Sequence, residues 1–253
     1  MKWLLIHGVP TGPAFWSRLQ LPGEVIAPEC PGAGSLDPFG RLRKPDARCP
    51  SAVERRFAMD RGPEPPPPTL ADLVAPLRAH AGPDVTVVGV DFGGILAAML
   101  AAEGLAGRLV LMSTALGAAW LPSRIASYEP FVGPFYRRSA GQRFLRTADP
   151  SGDLARAFPP DDTLPARMIA LARLLDVRPL HATRRALIAR RVPTLCLWGD
   201  ADPFFPPLLG RRLAQQLGAE WRTIPSVGGR PARHAVAWTQ AGEVGEILRG
   251  WGG

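Results

Sequence analysis

Lysine is nearly missing from this chain. Of 30 basic residues set against 22 acidic ones, only Lys2 and Lys44 are lysines, so the formal charge of +8 is carried by arginine. The arginines are scattered in pairs, such as Arg55 with Arg56 and Arg190 with Arg191, without the interleaved aromatics of a nucleic-acid surface. No nucleic-acid partner is expected, and a solvated basic surface that steers acidic small molecules is the simpler reading. Cysteine is scarce too: Cys30, Cys49 and Cys196 have neither metal-ligand spacing nor an even count. Structural disulfides, metal sites and redox chemistry are not indicated, and no cofactor is expected. Long apolar runs are absent. Nothing approaches the ~20 residues of a membrane span, and the N-terminal WLLI is too short for a signal peptide, which predicts a cytoplasmic protein without a membrane partner.

What is present is a 253-residue chain of 46% hydrophobic composition, enough for one sizeable α/β domain with a small insertion. Short apolar runs recur at 3–6, 24–27, 85–88, 108–112, 193–198 and 221–224, and read as strands buried on both faces. Helical patterns fill the gaps at 69–82, with Thr69 as N-cap, and at 92–104, closed by Gly104, then at 208–218 and 235–251. The alternation predicts a doubly wound, mostly parallel sheet. Two stretches break it. The proline run GPEPPPP at 62–68 reads as a stiff surface connection, and residues 115–190 read as an inserted helical cap on a core formed by 1–114 and 191–253.

The stretch GVDFGG, residues 89–94, lies where the third strand turns into a helix. Ligands bind beyond the carboxyl ends of a parallel sheet, and Asp91 falls at such an end. Gly89, Gly93 and Gly94 around it match the form of a nucleophile elbow, with Asp where serine is commoner. The bland alternative is a turn Asp that caps the following helix.

With these motifs in view, the sequence resembles the α/β-hydrolase fold superfamily over most of its length. HGVP, at His7 to Pro10, is similar to the superfamily's oxyanion loop, VIAPECPGAGS (25–35) to the strand and loop that follow, LWGDADPFFPP (197–207) to its acid loop, and RHAVAW (233–238) to its histidine loop. The resemblance implies a compact member lacking the two N-terminal strands of the full fold, with catalytic Asp91, Asp202 and His234 in the family order of nucleophile, acid and base. It also implies oxyanion donors at the backbone N–H groups of Val9 and Phe92. Asp200 competes with Asp202 for the acid role, and the loop spacing favours Asp202. GGRPAR, before His234, is longer than the family's usual loop there.

An Asp nucleophile narrows the chemistry. A carboxylate with a reference pKa near ~3.9 is ionised at neutral pH without help from a base. On an acyl carbon it gives an awkward anhydride; on a saturated carbon it gives a plain alkyl ester, whose carbonyl His234-activated water can attack. Within the superfamily this route resembles epoxide hydrolases and haloalkane or haloacetate dehalogenases. Haloalkane dehalogenases typically place Trp after the nucleophile, and haloacetate dehalogenases place Arg there and four residues later; here those positions hold Phe92 and Leu96. Epoxide hydrolases use cap tyrosines to hydrogen-bond the leaving oxygen. The only two tyrosines, Tyr128 and Tyr136, both fall in the cap.

The expectation is therefore an epoxide-hydrolase-like enzyme acting on a small-molecule substrate as a monomer or homodimer, with Tyr128, Tyr136 and Phe92 contacting substrate. The alternatives are a dehalogenase, a lactone-opening, lyase or cyclase enzyme on the same triad, and a non-catalytic binder on a hydrolase scaffold. Of the other histidines, His7 belongs to a loop whose backbone matters more than its ring, His80 reads as a surface residue, and His181, in the cap, as exposed, with a substrate contact as the alternative. Phe15 and Trp16 read as helix packing.

Overall fold

A computed structural model describes residues 1–30, 69–120, 140–159 and 164–252 of the protein. Tyr128 and Tyr136 lie outside the described residues, as do Cys49 and the proline run. All six expected strands form: β1 (Lys2–Ile6), β2 (Glu24–Ile26), β3 (Gly82–Val90), β4 (Ala106–Met112), β5 (Thr194–Gly199) and β6 (Glu220–Ile224). They pair in parallel throughout, in the order β2-β1-β3-β4-β5-β6.

The continuous apolar runs of β1, β3, β4 and β5 are explained by two cores, one on each face; β2 and β6, expected to be buried on both faces, lie at the sheet edges and are mostly exposed. Leu4, Ile6, Val87, Leu109, Leu111 and Cys196 project to one side of the sheet, whereas Trp3, Leu5, Val88, Val110, Leu195 and Leu197 project to the other. Against the first face pack α1 (Leu70–Val74), α2 (Phe92–Ala102) and α7 (Pro207–Leu217); against the second pack α8 (Val236–Thr239) and α9 (Ala241–Gly252). Between β4 and β5 the described residues include the α-helices α3 (Ala140–Ala148), α4 (Asp153–Ala157), α5 (Leu164–Leu174) and α6 (Val177–Arg190). The last of these lies against α2, with Leu180 and Leu187 in the first core.

Two helical patterns came out shorter than expected. Thr69 does cap α1, its hydroxyl accepting from Asp72 N–H while the Asp72 carboxylate accepts from Thr69 N–H at 2.7 Å. Pro76 then denies the chain an N–H for the next helical bond, and residues 75–80 tighten into a 3-10 helix. The C-terminal pattern divides at Gln240, which leaves helical geometry (φ −133°, ψ 41°) as its side-chain amide donates to the Pro225 carbonyl. Among the described residues no helix is long and apolar enough to cross a membrane, and no cluster of His, Cys, Asp and Glu could hold a metal ion.

Candidate active site

The sheet order reverses between β1 and β3, and a crevice opens there beyond the strand ends. At the end of β3, Asp91 sits at φ 53°, ψ −124°, a region that costs a non-glycine residue about 1–3 kcal/mol. The surroundings hold it there. Asp91 N–H donates to the Met112 carbonyl, and the Asp91 carbonyl accepts from Thr114 Oγ1 at 2.6 Å and from Gly94 N–H. Strand and helix approach so closely that a β-carbon at Gly89 would lie 2.4 Å from the Gly93 carbonyl oxygen, and one at Gly93 would lie 2.3 Å from the carbonyl oxygens of Ile6 and His7. The Asp91 side chain makes no cap bond to α2, so the helix-cap alternative does not describe it.

One carboxylate oxygen is claimed by the loop after β1: Val9 N–H donates to Asp91 Oδ2 at 3.1 Å. What aims that N–H is the carbonyl on the far side of the same peptide. Gly8 O accepts from Thr11 N–H at 3.2 Å, from Thr11 Oγ1 at 2.9 Å and from His7 Nδ1 at 2.9 Å. The His7 proton sits on Nδ1 because Nε2 is already the acceptor for Cys30 N–H, at 2.9 Å. In a trans peptide the C=O and N–H point in opposite directions, so three donors on Gly8 O fix Val9 N–H toward Asp91. Burial lowers the His7 pKa, consistent with this neutral tautomer. The His7 ring thus counts for more than the sequence suggested. Phe92 opens α2, where N–H groups have no acceptor inside the helix, and its N–H is the second candidate oxyanion donor.

The other oxygen faces the histidine. Asp91 Oδ1 lies 3.6 Å from His234 Nε2, an ion-pair distance beyond hydrogen bonding. His234 Nδ1 lies 3.1 and 3.3 Å from the two oxygens of Asp202, whose Oδ1 also accepts from Phe204 and Phe205 N–H. Burial pushes the His234 pKa down, but Asp202 and then Asp91 outweigh it and the net direction is upward. For Asp202, burial pushes up; His234 and the two N–H bonds prevail and hold it below the usual carboxylate range. Asp200 turns away from this cluster and bonds Ser226 instead.

Above these groups opens a cleft lined among others by Val9, Thr11, Phe15, Phe144, Ala148 and Leu154. Phe144, Phe204 and Phe205 surround the His234 ring with centroids 5.1–5.8 Å away. Of the expected contacts, the Phe92 ring lies in the first core and not in this lining, while Phe15, read as packing, does line it. His80 is exposed as expected, and His181 is half-buried beside Gly117. Sequence reasoning missed Phe144, Ala148 and Leu154, which carry no local signal. Phe204 and Phe205 had one, their adjacency to Asp202.

Comparison with known proteins agrees with this architecture. No curated protein matches the chain significantly. Among solved structures, an alpha/beta hydrolase enzyme from a Medee basin deep-sea metagenome library superposes with a TM-score of 0.68 at 15% identity, covering 99% of this chain and 88% of that one. A thermophilic esterase from Thermogutta terrifontis gives 0.64 at 18% identity, covering 99% and 89%. A haloalkane dehalogenase from Agrobacterium tumefaciens gives 0.65 at 17%, again covering 99% and 89%. At such identities these likenesses concern the fold alone. The model of the alpha/beta hydrolase family matches residues 3–246, nearly the whole sequence, and the chain belongs to that family.

Proposed function

We propose that this chain is an epoxide hydrolase acting through a covalent alkyl-enzyme ester on Asp91. The observation that carries the reading is the unequal placement of the two Asp91 oxygens, Oδ2 on Val9 N–H and Oδ1 toward His234. A serine elbow has a single oxygen that must both attack and be activated. Here Oδ1 is free to attack a ring carbon of the epoxide while Oδ2 already occupies the position where oxyanion charge will later develop.

In the first step Oδ1 bonds to carbon as the carbon–oxygen bond of the ring breaks from the opposite side. The departing alkoxide takes a proton from a hydroxyl, a task the resemblance gives to Tyr128 and Tyr136, which lie outside the described residues. His234 sits on the attacking side and does not reach it. In the second step His234 Nε2 takes a proton from water, and the hydroxide adds to the Asp91 ester carbonyl. Charge gathers on Oδ2 against Val9 and Phe92 N–H, collapse releases the diol oxygen, which receives the His234 proton, and the proton left on the Asp91 carboxyl restores the hydroxyl spent in the first step. Asp202 orients the ring throughout.

The electrostatics suit this order. While Asp91 is an anion, His234 stands between two carboxylates and holds its proton. Ester formation removes one of those charges and lowers the proton affinity of His234, which gives that proton to solvent and leaves Nε2 able to accept one when water must be activated. Halide departure is supported less well. Thr11 Oγ1 is spent on Gly8 O, and the Trp120 indole N–H is spent on the Ala115 carbonyl at 2.7 Å. The largely apolar lining suits an apolar epoxide.

Turnover of an epoxide panel in heavy-oxygen water tests the reading: label is expected in the Asp91 carboxylate after repeated turnovers. Diol formation with Asp91 unlabelled would refute the ester route. Halide release from haloalkanes with no epoxide turnover would assign the site to dehalogenation, and no product from any substrate would favour a binding protein.

A further inference from the structure

Asp200 and Ser226 are both exposed and neither touches the cleft, yet they join the two loops that must meet for Asp202 and His234 to pair. The long segment before His234 is a small hairpin. Val227 and Arg230 exchange both backbone hydrogen bonds across Gly228 and Gly229, whose φ values of 58° and 75° suit a primed turn. Such a hairpin would leave the base-bearing loop free to shift along the sheet end. Asp200 stops it: Oδ2 accepts from Ser226 N–H at 2.8 Å and Oδ1 accepts from Ser226 Oγ at 2.5 Å. Having donated its proton, Ser226 Oγ accepts from Ala232 N–H at 3.0 Å, across the base of the hairpin and two residues before His234.

Backbone contacts complete the seam. Asp200 N–H donates to the Ile224 carbonyl, and Ala201 N–H donates to the Ala232 carbonyl. At Gly199 a β-carbon would lie 2.3 Å from the Ala232 oxygen, so the two loops are in direct backbone contact.

From this arrangement we propose that Asp200 and Ser226 are positioning residues, a surface latch that sets the register of the His234 loop against the Asp202 loop and so fixes the acid–base distance. The proposal rests on the reading of Asp202 and His234 as partners in the reaction above. Its mechanical content is simple. The only covalent link between β6 and His234 is residues 225–233, of which Ser226 to Arg230 are exposed, so register there depends on cross-loop bonds. Asp200 supplies the side chain for two of them and orders the third.

The test measures His234 itself. Among the described residues, the titratable groups facing its ring are Asp202 on Nδ1 and Asp91 on Nε2, and the uncharged rings of Phe144, Phe204 and Phe205 also pack around it. In full-length protein with labelled histidine, Asp200→Asn and Ser226→Ala are each expected to move the His234 NMR titration to lower pH, because a slackened loop weakens the pull of both carboxylates. With an epoxide substrate, kcat should fall about tenfold, the scale of one hydrogen bond to a charged group, with KM unchanged. Ser226→Thr, which keeps the hydroxyl, should behave as wild type, and the double variant should be no worse than Asp200→Asn. A His234 titration that coincides with wild type in both single variants overturns the latch. That measurement needs no substrate, so it stands or fails separately from the assignment of epoxide as the substrate.

Discussion

Replacing His7 by phenylalanine removes the ring nitrogens while keeping a flat buried side chain, and the cost follows from the two bonds lost. Cys30 N–H, which now donates to Nε2, would be left buried without a partner at about 1–3 kcal/mol. Gly8 O would lose the Nδ1 donor but keep both bonds from Thr11, a smaller loss of about 1 kcal/mol. The sum, about 2–4 kcal/mol, is below the typical stability of a domain, and a melting temperature lower by about 5–15 °C is expected from a folded variant. The rate effect has a different origin. With one of its three anchors gone, the Gly8–Val9 peptide can rock, and Val9 N–H no longer meets Oδ2 in every molecule. Full loss of an oxyanion donor costs about 10²–10³ in kcat, so a peptide still held by Thr11 should lose about tenfold. Calorimetry and steady-state kinetics on His7→Phe and Thr11→Val, singly and together, check this. If the double variant loses no more than the worse single one, or if His7→Phe melts lower with kcat untouched, the clamp does not aim the oxyanion donor.

The two buried histidines predict opposite pH dependences of stability. The His7 pKa is lowered on folding, so below about pH 6.5 the unfolded chain binds a proton that the folded one refuses, and stability falls on acidification; His7→Phe should flatten that limb in a melting curve taken against pH. For His234, raised on folding, the stabilisation is fully present below about pH 6.5 and is lost as pH rises toward its folded value, so Asp202→Asn should flatten the alkaline limb. His234→Gln keeps the first chemical step and removes the base for the second: intact-mass spectrometry should find one substrate equivalent bound, with turnover down by ~10²–10⁴. Gly94→Ala should lose activity before it loses fold, because the new methyl would lie 2.6 Å from the Thr114 side chain that holds the Asp91 carbonyl; activity equal to wild type would argue against that contact as a support of the elbow.

How much of this was readable in advance follows from the range over which each feature is specified. The four inner strands were legible because burial on both faces demands an uninterrupted apolar run, and that demand is local, whereas β2 and β6 form as edge strands with most of their residues exposed. The elbow was legible for the same kind of reason. The β-carbon clashes at Gly89 and Gly93 arise within one strand–turn–helix unit, and so leave their mark inside six residues. The division of the helical pattern at 69–82 into an α and a 3-10 part also has a local cause, Pro76. Helix α3 is another matter. Phe144 and Ala148 reach the cleft only because the chain between β4 and β5 folds back over the strand ends, and nothing near them in sequence refers to Asp91 or His234.

His7 shows where residue identity stops carrying information. Its Nε2 partner is a backbone N–H 23 residues away, and any residue but proline at position 30 would supply that donor. Its Nδ1 partner, the Gly8 carbonyl, is equally anonymous. A side chain that bonds only backbone has no counterpart residue to give it away, whereas Asp202 and His234 announce each other by type. Asp200 falls between the two cases. It stood beside Asp202 as a rival for one role; the loop spacing favoured Asp202, and the two carboxylates, two residues apart on one loop, differ in the direction each faces, toward Ser226 or toward His234. That direction is set by β5 and β6 lying side by side, a pairing that brings residues 199–202 against 224–234. Side-chain chemistry at a site built this way is legible as inventory from the sequence, and becomes an arrangement only when the neighbouring strand is known.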